Sequence, residues 1–422
     1  MEYYQLSKEN LVSYLKEIPE MQKIFSSFDC LDIHEIGDGN LNFVFRVMDK
    51  NDLKKTVIVK QAVPFLRIAG EGWPLSEDRM RHEISALSEY ARLCPGFVPE
   101  IYFSSLDMSV VIMQNLSNYP ILRQQIIDGK YFPKLSEDIS TFLANTLFYT
   151  SDLALNANVK KKNVGENINP ELCKITEDFV FTNPYNPQDE TNIYPDDLSQ
   201  KAINIIQQNP QLQVSVSEMK YLFMTKAEAL LHGDLHIGSV MAGSDATYVI
   251  DPEFSFYGPM GFDVGAFISN LYLDYFAQSY WQKQRGDNDD YQKWLLVTII
   301  EIWEKFADKF ERNWINEICK GENEFYVRGW DDAGFTLYRK QRIANILADT
   351  IGFASCKMMR RIVGLAKVID ITKITDREIR AQVEQRALKL GAYMAIHHRQ
   401  FTSFAEINAL AVQLNYHDEI RG

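Results

Sequence analysis

The chain has 422 residues, 46% of them hydrophobic and 24% charged, with 25 Phe, 21 Tyr and 6 Trp; such a composition belongs to a folded globular protein of two or three domains or lobes and excludes disordered, collagen-like and low-complexity classes. The 57 acidic against 44 basic side chains leave a net charge of -13, which argues against a nucleic-acid partner bound by counterion release. Tyr4 to Phe28 carries Leu11, Leu15, Ile18 and Met21 at helical spacing, predicting a short N-terminal helical region. Asp32–Ile36, Asn42–Val47 and Thr56–Lys60 are β-branched and aromatic runs, expected as three antiparallel strands. Gly37-Asp38-Gly39-Asn40 and Asp49-Lys50-Asn51-Asp52 supply the intervening turns. Ser76 to Leu93 reads as a helix with Ser76 as N-cap, closed by Pro95-Gly96. Strands are expected at Val98–Phe103 and Val110–Gln114. Residues 32–116 therefore form a small five-stranded antiparallel lobe with one main helix, an α+β unit.

Beyond the break at Asn115-Leu116-Ser117-Asn118 the texture turns helical, with patterns near 136–157, 199–208, 217–231, 262–283, 291–319, 333–369 and 375–414. The Pro-, Asn- and Asp-rich stretch 183–198 and the segment 285–290 read as loops. Two lobes follow: 1–116, a nucleotide-binding lobe with a leading helical segment, and 117–422, a larger lobe for catalysis and substrate. Five widely spaced cysteines without a C-x-x-C pair read as reduced thiols. The opening MEYYQLSKENL lacks the basic-then-apolar build of a signal peptide. The longest apolar run, Trp294 to Ile300, is far shorter than the roughly 20 residues of a membrane helix. The expectation is a cytoplasmic chain without a membrane partner.

The strongest chemical signal is His232-Gly233-Asp234-Leu235-His236, followed by Asp251-Pro252-Glu253 at the end of a short strand, Tyr248-Val249-Ile250. Three carboxylates in one small region suit Mg²⁺, a hard cation that takes oxygen ligands, with one carboxylate left to receive a proton. A metal-free loop capped by Asp and His is the plainer alternative. The Gly37-x-Gly39 turn lets backbone N–H groups approach phosphate oxygens. Lys60, inside an otherwise apolar strand, and Glu83, midway along the next helix, would together explain a lysine aimed at phosphates. Lys357, Arg360 and Arg361 fall at i, i+3 and i+4 on one helix face, where a solvated basic stripe is the bland reading. His34, His82, His397, His398 and His417 show no metal-ligand spacing, and His236 reads as a brace for the loop.

In this order, from Gly-rich turn and strand Lys through helix Glu and hinge to H-G-D-x-H and D-x-E, the sequence resembles small-molecule kinases of protein-kinase-like fold. Within that branch, over about residues 30–415, it resembles the methylthioribose kinase family, on Gly72-Trp73-Pro74, His232–Ser239, Asp251–Phe254 and Met358–Gly364. Two departures from the wider kinase pattern mark this branch. Ser239 stands where most of these kinases place a metal-binding Asn, and Glu253 is inferred to supply the missing oxygen. The resemblance implies an ATP-dependent kinase that phosphorylates the 1-hydroxyl of 5-methylthioribose in methionine salvage, a transferase working as a cytoplasmic homodimer with Mg²⁺ as cofactor. It implies metal ligation by Asp251 and Glu253, and catalysis by Asp234, which also meets the substrate. ATP would be held by Gly37, Gly39, Asn40, Lys60, Gln114, Asn115, Leu116, Asp251, Pro252 and Glu253, and the sugar by Trp73, Arg360 and Arg361. Two rivals stay open: another kinase of the same fold acting on an aminoglycoside, choline or homoserine, and a nucleotide-binding pseudokinase.

Overall fold

The structure, a computed structural model, describes residues 3–36, 41–66, 70–194, 200–287, 290–320, 324–327 and 332–417. Helices α1 (Leu11–Lys16) and α2 (Pro19–Ile24) precede strands β1 (Leu31–Glu35), β2 (Asn42–Asp49) and β3 (Thr56–Ala62), a small hairpin of β4 (Phe65–Leu66) and β5 (Gly70–Pro74), helix α3 (Arg79–Leu93), and strands β6 (Ile101–Ser105) and β7 (Val110–Gln114). The main sheet is antiparallel with order β1-β2-β3-β7-β6, which is the expected five-stranded sheet with one main helix.

Alternation along β3 explains how this layer is built. Val57 and Val59 face Leu11, Leu15, Met21 and Phe25 from the N-terminal helices, together with Phe45, Val47, Val110 and Ile112. Ile58, Lys60 and Ala62 occupy the other face, where Ala62, Val111 and Met113 meet Met80 and Ile84 of α3. The buried Gln61 ties the leading segment to the sheet. Its Oε1 accepts from Leu6 N at 2.7 Å, and its Nε2 donates to Tyr4 O and Met108 O. The α3 helix begins at Arg79 with Asp78 as N-cap, three residues past the expected start. Ser76 instead accepts from Asp78 N at 3.1 Å in a local turn. The turn 37–40 lies outside the described residues.

The rest of the chain is mostly helical: α4 (Leu122–Ile127), α5 (Leu135–Tyr149), α6 (Ala157–Glu166), α7 (Pro170–Phe181), α8 (Gln200–Gln207), α9 (Pro210–Thr225), α10 (Gly261–Arg285), α11 (Asp290–Lys320), α12 (Asp332–Val363), α13 (Ile369–Thr372), α14 (Arg377–His397) and α15 (Phe404–His417). Short strands β8 (Ala229–Leu231), β9 (Val240–Ala242), β10 (Thr247–Val249) and β11 (Phe256–Gly258) pair as β8–β11 and β9–β10. The expected helix at 217–231 is corrected: α9 starts at Pro210, capped by Asn209, and Ala229-Leu230-Leu231 is a strand. A short apolar run does not distinguish the two by period alone. The pattern 375–414 divides at 398–403. Helices α4, α6 and α7 were not expected: α4 is only six residues long and α6 is mostly polar, whereas α7 does carry apolar residues at helical spacing.

Helix α10 is buried around nearly its whole circumference, as a central helix must be. It packs on α12 without a spacer: a Cβ at Gly265 would lie 2.5 Å from Thr350 O and 2.8 Å from Ala354 N. Among the described residues no helix is long and apolar enough to cross a membrane.

One polar group sits deep in this packing. Asp274 of α10 and Asp370 of α13 are fully buried, and three of their carboxyl oxygens have no hydrogen-bond partner. Arg123 donates to the fourth, Asp370 Oδ2. Burial, and then Asp370, push the Asp274 pKa well above the usual range, so Asp274 folds as the neutral acid, able to donate to Asp370. A raised folded pKa gives stability that is full below the unfolded value of about 3.9 and is lost as pH climbs from there through the folded pKa. Asp274→Asn removes that dependence. Its melting temperature should fall less than the wild type's between pH 5 and pH 8, and parallel melting curves would refute a neutral Asp274.

Candidate active site

The loop between β8 and β9 is held from beneath by Asp263 at the start of α10. Its carboxylate accepts from His232 N at 2.6 Å and Gly233 N at 3.0 Å. Gly233 has φ +83°, and a Cβ there would lie 2.1 Å from Phe254 O, so both conformation and space demand glycine. His232 stitches the loop to the next strand: Nδ1 accepts from Asp234 N at 3.3 Å, and Nε2 lies 2.8 Å from Ile250 O. His236 Nδ1 accepts from Gly238 N at 2.9 Å, which puts its proton on Nε2, 3.4 Å from Asp234 Oδ2. Ser239 donates to Asp234 O at 3.1 Å. Its hydroxyl hydrogen is used inside the loop.

The second carboxylate group follows β10. Asp251 takes the left-handed conformation, φ +61° and ψ +51°, a state Asp tolerates better than most residues. The turn Pro252–Phe254 then carries Glu253 inward. Glu253 Oε2 accepts from Asn42 Nδ2 at 2.6 Å, and Asn42 Oδ1 accepts from Arg79 Nε at 3.1 Å. Asn169, at φ +49°, donates to Glu253 O and Ser255 O.

Lys60 joins this group to the sheet. Its Nζ lies 2.8 Å from Glu83 Oε1 and 2.8 Å from Asp251 Oδ1. Burial works against the ammonium, but Asp251, Glu83 and Glu253 outweigh it and raise its pKa. Burial lifts Glu83 to about 7 against the pull of Lys60. Burial likewise raises Glu253 despite Lys60, with Asp251 adding to the rise. Asp251, opposed by burial and held chiefly by Lys60, sits below its ordinary value.

Facing them, the last turns of α12 surround Asp234. Lys357 Nζ donates to Asp234 Oδ1 at 2.9 Å, and Arg360 Nη2 and Arg361 Nη2 stand 3.6 and 4.0 Å from the same oxygen. The three side chains are at most 10% exposed, so the stripe is a buried cationic face and not a solvated one. Burial opposes the charge on Asp234, but Lys357, His236, Arg361 and Arg360 outweigh it and hold its pKa well below the carboxylate range.

A cavity of about 420 Å³ brings Lys60, Asp234, Asp251, Glu253, Arg360 and Arg361 together. Gln114, Asn115 and Leu116 lie at the end of β7 outside its lining. There Gln114 N donates to Glu100 O and Asn115 Nδ2 to Thr56 Oγ1. Trp73 is in β5 by its backbone, while its side chain, like Gly37, Gly39 and Asn40, lies outside the described residues. Sequence reasoning missed Asn42, Arg79, Asn169 and Asp263 as parts of the site. Each is a polar residue in or beside a regular element, with nothing local to distinguish it.

Comparison with known proteins adds three findings. The pattern of a phosphotransferase enzyme family matches residues 184–297. The methylthioribose kinases of Bacillus cereus (strain 03BB102) and Bacillus thuringiensis (strain Al Hakam) are each 41% identical to this chain over 397 residues, covering 93% of it and 92% of themselves. A solved choline kinase from Cryptosporidium parvum Iowa II is 10% identical with a TM-score of 0.47, covering 97% of this chain and 99% of that one.

The Asp263 clamp is testable by stability. Asp263→Ala strands two backbone N–H groups beneath the loop and should cost about 2–4 kcal/mol in denaturant unfolding. A loss below about 0.5 kcal/mol, the scale of an ordinary surface change, would show that the loop holds itself.

Proposed function

The chain belongs to the methylthioribose kinase family, and on that premise we propose that it transfers the γ-phosphoryl group of ATP to the 1-hydroxyl of 5-methylthioribose. The observation that carries the reading is one cavity holding the Lys60–Asp251 pair and Glu253 on one side and Asp234 among three buried cations on the other. A phosphoryl donor needs the first set and an alcohol acceptor the second. The lobes would be 1–116 for nucleotide and 117–422 for catalysis and sugar.

Phosphoryl transfer asks for positioning and charge neutralisation more than covalent help. Lys60, fixed from both sides by carboxylates, orients the α/β-phosphates. The turn at Gly37, Gly39 and Asn40, the backbone at Gln114–Leu116 and Pro252 complete the nucleotide contacts. Asp251 and Glu253 offer carboxylate oxygens, the hard donors that Mg²⁺ takes. Asp251 Oδ2 accepts no hydrogen bond among the described residues, so this pair fits the ion. When bound, Mg²⁺ neutralises charge on the ATP phosphates. Ser239 donates its hydroxyl hydrogen to the loop and is assigned no ligand role in this reading.

Asp234 accepts the hydrogen bond of the sugar 1-hydroxyl and takes its proton as transfer proceeds. Arg360 and Arg361 hold the sugar and the transferred phosphoryl, with Trp73 covering the substrate. Ile175, Phe179, Leu365 and Ala366 also line the cavity and give an apolar wall suited to the methylthio end. On the family resemblance alone, we further infer a cytoplasmic homodimer serving methionine salvage.

ADP release with Mg-ATP should be fast with 5-methylthioribose and slow with ribose, choline, homoserine or kanamycin. Turnover with another of these acceptors would overturn the substrate. Asp234→Asn should keep ATP affinity and lose at least about a hundredfold in turnover, the scale of a positioned base; wild-type turnover would remove Asp234 from the chemistry. For Glu253→Gln, the Mg²⁺ concentration at half-maximal rate should rise. An unchanged requirement would mean that Glu253 is not a ligand.

A further inference from the structure

The surroundings of Asp234 pose a problem that its role as base does not solve. Three cations crowd one carboxylate oxygen within 4.0 Å, leaving two positive charges in excess in a buried place. Arg360 Nε and Arg361 Nε are buried without a hydrogen-bond partner. The remaining neighbours do not restore the balance. His236 is neutral, with Nδ1 accepting from Gly238 N; Asp263 on α10 is committed to the loop N–H groups; and Arg123 is paired with Asp370. Such an excess is relieved by loss of a proton. Guanidinium groups do not lose theirs, whereas a buried lysine does so readily.

We propose that Lys357 is the group to which the acceptor's proton passes from Asp234, so that Lys357 enters the reaction as the neutral amine and leaves it as the ammonium. This rests on the kinase reading above, with Asp234 as base. In the step, the sugar O–H bond breaks as its oxygen bonds to the γ-phosphorus and the bond from that phosphorus to ADP breaks. The proton goes to Asp234 and then across the 2.9 Å contact to Lys357 Nζ. The product phosphate brings negative charge toward the arginines and so stabilises the new ammonium. Lys357 then returns the proton to solvent as product leaves.

Two further features fit. Burial, with Arg360 and Arg361 adding to it and Asp234 opposing, lowers the Lys357 pKa to about 8. The centre of the Phe262 ring lies 4.5 Å from Nζ; this contact favours the ammonium weakly, so it eases protonation during the step without enforcing it beforehand. The relay also resolves a conflict. With a charged Lys357 on Oδ1, Asp234 is a very weak base; with a neutral one, its basicity recovers.

The test compares kcat across pH 6–10, at saturating Mg-ATP and 5-methylthioribose, for the wild type, Lys357→Arg and Lys357→Ala. The wild type should show a rate that rises with pH, with its midpoint at about 8 or above. Lys357→Arg, permanently charged, should lose that limb and fall at least about tenfold throughout. Lys357→Ala should be slow, and methylamine should restore its rate in proportion to the neutral amine present. If Lys357→Ala does not fold, Lys357→Arg decides alone, with its melting curve as control. A wild-type profile in Lys357→Arg, or a folded Lys357→Ala that binds both substrates but gains nothing from methylamine, overturns the relay. Absence of methylthioribose-dependent ADP release in the wild type would instead overturn the kinase reading itself.

Discussion

A buried ammonium is not tolerated without counter-charges, and in this protein that rule fixes how sheet and helices meet. Lys60 projects from the central strand of the five-stranded sheet, with β2 on one side and β7 on the other. Its partners come from elsewhere: Glu83 from α3 and Asp251 from the turn after β10. One nitrogen therefore sets the roll of α3 on the sheet and the approach of the catalytic segment to it. The roll of α3 in turn aims Arg79 at Asn42, and Asn42 at Glu253. Removing Glu83 would leave the Lys60 ammonium without its fully buried counter-charge, whereas Asp251, with a side chain 51% exposed, stands where water can reach.

The charges divide the cavity into two halves of opposite sign. On the sheet side, Lys60 and Arg79 face Glu83, Asp251 and Glu253, an excess of one negative charge once Glu83 and Glu253, whose pKa values burial raises, are ionised. On the α12 side, Asp234 faces Lys357, Arg360 and Arg361, an excess of two positive charges with Lys357 as the ammonium and of one with Lys357 as the amine. Neither imbalance serves folding. Both suit what a phosphoryl transfer puts there: a divalent cation in the first half and a developing phosphate in the second. The strain at Asp251, a left-handed residue that is not glycine, belongs with them, since such conformations persist where surrounding contacts over-determine them.

The parts of this arrangement that were legible in the sequence are those whose chemistry contradicts their local setting. Lys60 in an apolar strand, Asp234 after a glycine with a histidine two residues to either side, and Asp251-x-Glu253 at a strand end all depart from what secondary structure alone would select. The five strands were legible because turn residues bracket each run. Asn42, Arg79, Asn169 and Asp263 were not, because each suits its place as an ordinary surface residue would. Their function exists only through partners distant in sequence, 211 residues in the case of Asn42 and Glu253. Helix α7, which lines the site, was not expected although the sequence does carry its period: Leu172, Thr176 and Val180 are buried at i, i+4 and i+8.

The stripe at 357–361 shows the limit of periodicity most clearly. Spacing places three cations on one face of a helix but does not say whether that face meets water or protein. What decides is the packing of α10 on α12, where Gly265 lets the backbones close to contact. That close approach presses the last turns of α12 against the loop that Asp263, from the first turn of α10, holds from beneath. Helix α10 thus fixes both the carboxylate and the cations that crowd it. The basicity of Asp234 is in this way a property of helix packing as much as of its own chemistry. A side chain substituted for the hydrogen of Gly265 would act on it by parting two helices and touching neither charge.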